Sequence, residues 1–192
     1  MPRPASYQRD QILRRAIGVF WRRGYRGSSV KDLVAATHLQ PGSLYAAFDN
    51  KRSLFHAAVE CYFHDVLALQ QRILCGEGTP LERLGRFFHH LCRECEQDDE
   101  ARGCLLVNAL LEAPEDHELS DRLQAMFAEF EAEFVRVLEA ARDSGELPVD
   151  SDPRAGARFL LTGMYGLRVC QKVGAGNGHA RAVAERLIEA LR

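Results

Sequence analysis

The chain has 192 residues, long enough to bury a substantial core, and its 46% hydrophobic and 27% charged content is ordinary for a soluble globular protein. No apolar run approaches the roughly 20 residues that span a bilayer, and the first residues lack the apolar segment of a signal peptide, so we expect a cytoplasmic protein with no membrane partner. The net charge of −2 hides an asymmetry. Residues 1–52 hold ten Lys/Arg and three Asp/Glu, a formal charge of +7, whereas residues 53–192 hold 15 and 24, a charge of −9. This asymmetry favours a polyanion partner for the amino-terminal part, although chance segregation of surface charge gives the same pattern.

Apolar residues recur at helical spacing through most of the chain, and no segment shows the alternation typical of a strand. Gly24 is a left-handed stop for the first helix, Ser29-x-x-Asp32 is a capping box for the second, and Pro41 suits the first turn of the third. The pattern predicts an all-α protein of about nine helices. They cover about residues 12–23, 30–37, 41–48, 51–74, 80–97, 102–112, 119–141, 154–173 and 180–191.

The first three helices are short and share one predicted core, which comprises Ile12, Ala16, Phe20, Val30, Leu33, Val34, Leu39, Leu44 and Phe48. This core leaves one face of the third helix free, with Gln40, Pro41, Ser43 and Tyr45 as its exposed candidates. A short helix presented in this way fits the major groove of DNA. There a Gln amide donates and accepts at a base edge, and a Tyr ring or hydroxyl meets a thymine methyl or a phosphate.

Two lysines lie at helix starts, where a cation opposes the helix dipole. Lys31 is in the first turn of the second helix and Lys51 in the first turn of the fourth. A phosphate docked at these positions reverses the sign of the effect and uses the free backbone N–H groups. The alternative is that both ammonium groups are simply solvated.

This amino-terminal segment resembles the tetracycline-repressor (TetR) family of bacterial transcriptional regulators. The family pattern has T/S-x-x-x-I/V-A before a turn and G-x-L-Y-x-x-F-x-x-K-x-x-L after it. The matching residues are Ser29, Val34, Ala35, Gly42, Leu44, Tyr45, Phe48, Lys51 and Leu54. The match covers about the first 55 residues and fixes several residue types at fixed offsets.

The resemblance implies a helix-turn-helix DNA-binding domain at residues 1–52 and a helical effector-binding and dimerisation domain at residues 53–192. It makes the third helix the recognition helix, and it implies contacts to the DNA backbone from Ser28, Ser29, Tyr45 and Lys51. Arg3 and Arg9 would form a basic arm. No cofactor and no catalytic residue are expected.

The sequence departs from the family pattern at the turn. His38 replaces the usual glycine, at a position that needs a left-handed or bridging backbone, and we expect a small stability cost and no change of fold. Gln40 replaces the commoner serine before the recognition helix, which predicts a different operator preference.

The late helices at residues 118–142 and 154–173 are the most apolar and are the predicted pairing surface of a homodimer, as the resemblance also implies. Two such pairs form a four-helix bundle around a two-fold axis. Two-fold pairing predicts a palindromic operator, because one reader alone discriminates too little against a genome. The alternative from periodicity is that both helices belong to an intramolecular core.

Aromatic, Met and polar side chains of the second part of the chain suit a pocket for a small hydrophobic effector. The candidate lining residues are Tyr62, Phe63, Phe87, Phe88, Leu91, Leu105, Asn108, Met126, Met164, Tyr165 and Arg168. Each of them is also compatible with an ordinary core position.

The six cysteines are expected to be free thiols rather than a disulfide framework. His89, Cys92 and Cys95 share a helix face, which leaves a partial zinc site or a redox pair as alternatives. Cys104 lies beside Arg102 near a helix start, where a thiol pKa is lowered. The segment around Cys104, GC-L-x-V-x-x-x-x-E, resembles a branch of the family that includes sensors of reactive electrophiles, with a small buried hydrophobe as the alternative role.

These observations predict a homodimeric, ligand-responsive repressor that is not an enzyme. It would leave a palindromic operator when a small hydrophobic ligand binds or a cysteine is modified. Two other classes stay open at this point. One is a cysteine-based redox or metal-dependent helical enzyme, and the other is a helical carrier of small molecules that does not bind DNA.

Overall fold

A computed structural model describes residues 5–112, 114–173 and 177–192, without the side chains of residues 5–8, 177 and 178. Within these ranges the chain forms nine helices and no strand, which confirms the predicted all-α class. The helices are α1 (Ala5–Gly27), α2 (Val30–Thr37), α3 (Pro41–Phe48), α4 (Lys51–Leu74), α5 (Pro80–Gln97), α6 (Leu105–Glu112), α7 (His117–Asp143), α8 (Pro153–Lys172) and α9 (Asn177–Glu189). None of these helices is both long and apolar enough to cross a bilayer.

The predicted capping box of α2 and the proline in the first turn of α3 are confirmed, whereas Gly24 does not end α1, which continues beyond it to Gly27. Gly24 interrupts α1 with a φ of 71°, a conformation that glycine adopts without strain. The Ser29 side chain and the Asp32 side chain cap α2 reciprocally, and His38 ends it in the left-handed region with a φ of 59°. Pro41 occupies the first turn of α3, and the Asn50 carboxamide caps α4 by accepting from the Ser53 N–H.

Four helix starts differ from the predictions by two residues or more, and local chemistry explains two of them. Within the described residues, α1 begins at Ala5, seven residues before the expected start. α6 begins at Leu105, three residues later than expected, because Ala101 and Gly103 have positive φ values. α7 begins at His117, two residues earlier, because the Asp116 carboxylate accepts from the Leu119 N–H and caps the first turn. α9 begins at Asn177 rather than at residue 180.

The described chain divides into two compact units, residues 1–66 with 105–123 (unit 1) and residues 67–104 with 124–192 (unit 2). Unit 1 therefore extends beyond residue 52 and includes α6. In unit 1, α1 packs on α2 and α6, and Phe20 contacts Phe55 edge to face at 4.9 Å between ring centroids. Its amino-terminal core differs in part from the expected set, because Ile12, Val30, Val34 and Leu39 are only half-buried. Leu13, Ile17 and Val19 are buried in addition to the remaining predicted residues.

Unit 2 is held together by packing among α5, α8 and α9 and by an aromatic cluster of Phe87, Phe88 and Phe134. Gly163 of α8 allows a close approach of α9, since a Cβ atom there would collide with the Leu187 side chain. Unit 2 thus relies on apolar contact over long helices, whereas the short helices of unit 1 also rely on caps.

Candidate nucleic-acid interface

The helix α3 buries two side chains and exposes most of the others. Leu44 and Phe48 are buried, Tyr45 is half-buried, and Pro41, Gly42 and Ser43 are exposed. Their small size leaves a smooth outer surface on the first turn of the helix, which permits close approach to another molecule.

The residue before α3 has an unused side chain. Gln40 is the N-cap residue of α3, with φ −68° and ψ 150°, but its carboxamide makes no capping hydrogen bond. Gln40 is exposed. Its donor and its acceptor therefore remain available to a base edge, as the sequence predicted.

The residues predicted to contact DNA at the start of α2 differ in their exposure. Ser29 and Lys31 are exposed, whereas Ser28 is buried and its hydroxyl donates to the Tyr25 carbonyl at 2.9 Å. Hydrogen bonds from Ser29 and the nearby Arg23 guanidinium hold the pKa of Asp32 below its usual range. The structure gives Ser28 a structural partner and leaves Lys31 at the surface, where it can reach an anion.

Lys51 has a different environment from the one that the sequence indicated. Its ammonium group donates to the carbonyls of Tyr25 and Ser28 and lies 4.6 Å from the centroid of the Tyr25 ring. Burial lowers the pKa of Lys51. The cation at the start of α4 is thus stabilised by the carboxyl end of α1, a favourable position for positive charge, and no phosphate is needed to explain it.

Two arginines of α1 also contact the helix-turn-helix segment, and of these two the sequence predicted a role for Arg9 but not for Arg15. Arg9 donates to the Ala47 carbonyl at 3.0 Å and stacks on the Phe48 ring, and Arg15 donates to the Thr37 carbonyl at 3.1 Å. The signal in the sequence was the repeated arginine on the polar side of α1. Arg3, the other residue of the expected basic arm, lies outside the described residues.

A carboxylate of unit 1 joins α4 to the start of α7. Asp116 accepts from the Arg52 guanidinium at 2.7 and 2.8 Å, and its Oδ2 lies 2.8 Å from Nε2 of the buried His56. The hydrogen bonds from Arg52, then those from His56, hold the pKa of Asp116 far below its usual range. The Arg52 guanidinium also reaches Glu118 at 3.1 Å.

A second carboxylate of unit 1 joins α6 to the kink in α1. Glu112 accepts from the Tyr25 N–H at 2.7 Å and lies directly over Gly24, where any Cβ atom would collide with it. The last residue of α6 therefore contacts the same corner of unit 1 that receives the Lys51 ammonium.

The predicted effector residues are divided between the two units. Four of them belong to unit 1, namely Tyr62, Phe63, Leu105 and Asn108, whereas the others belong to unit 2: Phe87, Phe88, Leu91, Cys104, Met126, Met164, Tyr165 and Arg168. Arg168 is buried and donates to Glu94 at 2.6 Å, so its charge already has a partner. A cavity of about 280 Å³ lies between α5 and α9, and of the predicted effector residues Phe88 alone lines it.

The cysteines differ widely in their surroundings. Cys92 and Cys95 are buried, and burial raises the pKa of both thiols, that of Cys92 to about 11. Cys104 is half-buried, and its neighbour Arg102 pairs with Asp98 at 2.8 Å, which offsets the positive charge expected to act on the thiol. Among the described residues, no group of three or more His, Cys, Asp or Glu side chains is placed to hold a metal ion.

Models of two protein families match this chain. Residues 12–58 match the model described as bacterial regulatory proteins, tetR family. Residues 80–187 match the model described as tetracyclin repressor-like, C-terminal domain. The two matches together account for most of the chain.

Similar proteins extend over nearly the full length. The chain is 29% identical to the HTH-type transcriptional repressor ComR of Escherichia coli K12 over 90% of this chain and 83% of that one. It is 31% identical to the HTH-type transcriptional regulator YezE of Bacillus subtilis 168 over 90% of each chain. A solved structure of the regulator CifR, a cysteine mutant complexed with 26 bp double-strand operator DNA, is 33% identical, with a TM-score of 0.87 over 99% of this chain and 100% of that one.

Proposed function

The chain belongs to the TetR family of bacterial transcriptional regulators, and we propose that it is a homodimeric repressor that binds a palindromic operator. Residues 12–58 and residues 80–187 match two models of a family of regulators rather than enzymes. Repression is proposed from the relative ComR, which is a transcriptional repressor. The observation that carries the proposal is the exposed first turn of α3, with the uncommitted Gln40 carboxamide at its start.

We assign direct DNA contacts to the exposed members of the predicted set. Gln40, Pro41 and Ser43 present small or uncommitted groups to base edges, and Tyr45 is half-exposed beside them. Ser29 and Lys31 at the start of α2 are assigned to the phosphate backbone. Ser28 and Lys51 are assigned a positioning role, because both are hydrogen-bonded to the carboxyl end of α1.

The dimer is supported by an exposed apolar stripe on α8. Its members are spaced alternately by four and three residues: Ala155, Phe159, Thr162, Gly166, Val169 and Val173. Phe159 is 44% exposed and Val169 is 49% exposed, although both are large apolar side chains. The alternation of four and three is the spacing by which one helix packs along another. A second copy of the same stripe is its natural partner.

The helix α7 carries a similar surface. Ala125, Ala128 and Ala132 are exposed at three- and four-residue spacing, and Val135 continues the series. Small residues permit close helix approach, so α7 and α8 of two chains are suited to a four-helix bundle. This is the surface on which the sequence analysis expected pairing.

Selection of bound duplexes from a random pool by the purified full-length protein tests the DNA proposal. We expect a palindrome whose half-sites lie about one helical turn or a multiple apart. Gln40→Ala should relax the preference at one base pair in each half-site, with a loss of about 1–3 kcal/mol of discrimination. Gln124→Ala is the matched control, because Gln124 is an exposed glutamine of α7 outside the assigned contacts and its loss should leave the preference unchanged. Recovery of no sequence preference at low salt would contradict the proposal.

We propose that modification of the Cys104 thiol is one route of release from the operator. Cys104 directly precedes α6 in the chain, and Glu112 at the other end of α6 contacts the Tyr25 corner of unit 1. The Cys104 thiol first gives up its proton to solvent, and the thiolate then adds to an electrophilic carbon of a quinone or a conjugated aldehyde. An S–C bond forms, the π electrons of the attacked double bond move onto the carbonyl oxygen, and that oxygen takes up a proton. With a peroxide, the thiolate attacks one oxygen, the O–O bond breaks, the other oxygen leaves as hydroxide or alkoxide, and the thiol becomes a sulfenic acid. Either added group would disturb the start of α6. A small hydrophobic ligand bound in the carboxy-terminal domain is the second proposed route.

Cysteine variants distinguish these routes. Cys104→Ser should keep operator affinity but abolish release by a quinone, an aldehyde or a peroxide, while leaving release by a non-reactive hydrophobic ligand intact. Cys75→Ser is the matched control, because Cys75 is also a free thiol and is more exposed. Full release of the Cys104→Ser variant by all three reagents would refute a sensing role for this thiol.

A further inference from the structure

Unit 2 contains a concentration of positive charge that DNA binding does not use. The chain beyond residue 52 has a formal charge of −9. Nevertheless, a cleft of about 650 Å³ between the end of α4 and α5 is lined by three arginines and two histidines: Arg72, Arg86, Arg93, His89 and His90. Within the described part of the chain, Glu77 is the one carboxylate residue of its lining.

Two guanidinium groups of this cleft differ from those guanidinium groups of unit 2 that form ion pairs with carboxylates. Arg158 and Arg181 each form an ion pair with a glutamate at 2.7–3.1 Å. Arg72 and Arg93 are exposed and have no carboxylate of the described residues within 4.0 Å of their guanidinium nitrogens. Two unpaired guanidinium groups therefore face one concave surface.

The third arginine is held in place by the backbone. Arg86 donates to the Glu77 carbonyl, a contact that orders the turn after α4 without neutralising the charge. Two other carboxylates lie near the cleft residues. Glu82 accepts from the Thr79 N–H in the cap of α5, and Glu94 is 3.6 Å from Nε2 of His90. The lining as a whole thus carries net positive charge.

We propose that this cleft binds a small organic molecule that carries a phosphoryl group with at least two negative charges. Guanidinium groups match the oxygens of phosphate in bidentate geometry, and a concave surface focuses their field. The volume is that of a small-molecule site. Leu69 and Ile73 of α4 supply an apolar wall for the organic part.

Calorimetric titration of the full-length protein with pyrophosphate at low salt tests this proposal, since pyrophosphate carries the phosphoryl chemistry alone. We expect saturable binding with one site per chain. The double variant R72Q/R93Q should lower the affinity by about tenfold or more, because it removes two charged hydrogen-bond donors. Both residues are exposed, so the variant should remain folded, which circular dichroism checks.

Two matched variants locate the binding. Arg154→Gln removes an exposed guanidinium of α8 that does not line the cleft, and Lys31→Gln removes a charge of the DNA-binding surface. Neither should change the affinity for pyrophosphate. The proposal is overturned if the wild-type protein shows no saturable binding, if R72Q/R93Q binds equally well, or if Lys31→Gln is the variant that loses affinity. Operator binding without the anion should be the same for R72Q/R93Q and the wild-type protein, so this result is independent of the proposed function.

Discussion

The helices α3 and α8 both expose one face, but the two faces have opposite chemistry. α3 has eight residues and presents small and polar groups, and Lys31 of the preceding helix is exposed as well. α8 has 20 residues and presents Phe159, Val169 and Val173 to solvent in one chain. Small polar groups together with an exposed cation suit a hydrated polyanion, whereas a long apolar stripe suits another apolar helix.

An exposed side chain indicates the kind of partner it can bind through the hydrogen bonds or the apolar contacts that the chain itself does not provide. The Gln40 carboxamide makes no capping hydrogen bond within the described residues, so a partner that binds it must supply donors and acceptors. The α8 stripe lacks apolar cover, so its partner must be apolar. One chain thus has the surfaces for two different kinds of partner.

The largest expected effect comes from a charge placed in the α8 stripe. Gly166→Arg should convert the dimer into a monomer, because two guanidinium groups would face each other across a helix pair. Open space surrounds the Gly166 Cβ position in one chain, so the folded monomer has room for the side chain. Loss of pairing should lower operator affinity by about a hundredfold or more, which light scattering and DNA titration measure.

A helical glycine elsewhere in unit 2 provides the control for this substitution. Gly85 of α5 also has open space at its Cβ position. Gly85→Arg should therefore remain dimeric and bind the operator normally. A dimeric Gly166→Arg variant would place the pairing surface elsewhere.

The next largest effect is expected at Lys51, the half-buried cation at the start of α4. Lys51→Met should destabilise unit 1 by about 2 kcal/mol, because the Tyr25 and Ser28 carbonyls lose a charged donor. Urea unfolding measures this loss. Lys31→Met is the matched control, since that ammonium is exposed and should leave the stability unchanged. Equal stability of both variants would mean that Lys51 is not a positioning residue.

The surroundings of Lys51 differ from those expected from the sequence, and the difference shows which features of the site a sequence can predict. Ser29-x-x-Asp32 and Pro41 act over one helical turn, so helix bounds near them follow from the residues themselves. The partners of Lys51 are 23 and 26 positions away, and those of Asp116 are 60 and 64 positions away. Such pairings depend on how helices pack, which periodicity does not specify.

The effector residues illustrate the same limit. Aromatic and Met residues at helical spacing predict burial, and Phe87, Phe88, Met126 and Met164 are buried. Burial alone does not distinguish a cavity wall from a filled core. The spacing also gave no indication that Arg168 pairs with Glu94.

Lowering the pH should destabilise unit 1 through protonation of Asp116 and should leave the α8 stripe unaffected. The expected loss of unfolding free energy is smaller than that for Lys51→Met. The pKa of this carboxyl in the folded chain lies below its usual range, so its stabilisation is present at pH above about 4 and is lost as pH falls through the ordinary value toward the folded one. Its partner Arg52 is half-exposed, which limits the contribution to about 1–2 kcal/mol. The apolar α8 stripe has no such dependence.

The variant Asp116→Asn isolates the charge, because asparagine also caps a helix. The difference in unfolding free energy between wild type and variant should be constant from pH 7 to about 5 and should shrink below pH 4. Urea titrations at four pH values measure it. The groups that face Asp116 are Arg52, His56 and, through Arg52, Glu118. A difference that stays constant down to pH 3 would show that the charge of Asp116 is not what stabilises unit 1.

The smallest effect is expected from the exposed cation of the DNA-binding surface. Lys31→Gln should weaken binding to every duplex by a similar factor and leave the sequence preference unchanged, because a phosphate contact carries no base information. A dimer would lose two such contacts, so the slope of log affinity against log salt should become shallower by about 1.8. The α8 stripe is untouched, so the dimer should persist. If the slope is unchanged, Lys31 is merely solvated, and the basic charge that binds DNA must come from other residues of the amino-terminal segment.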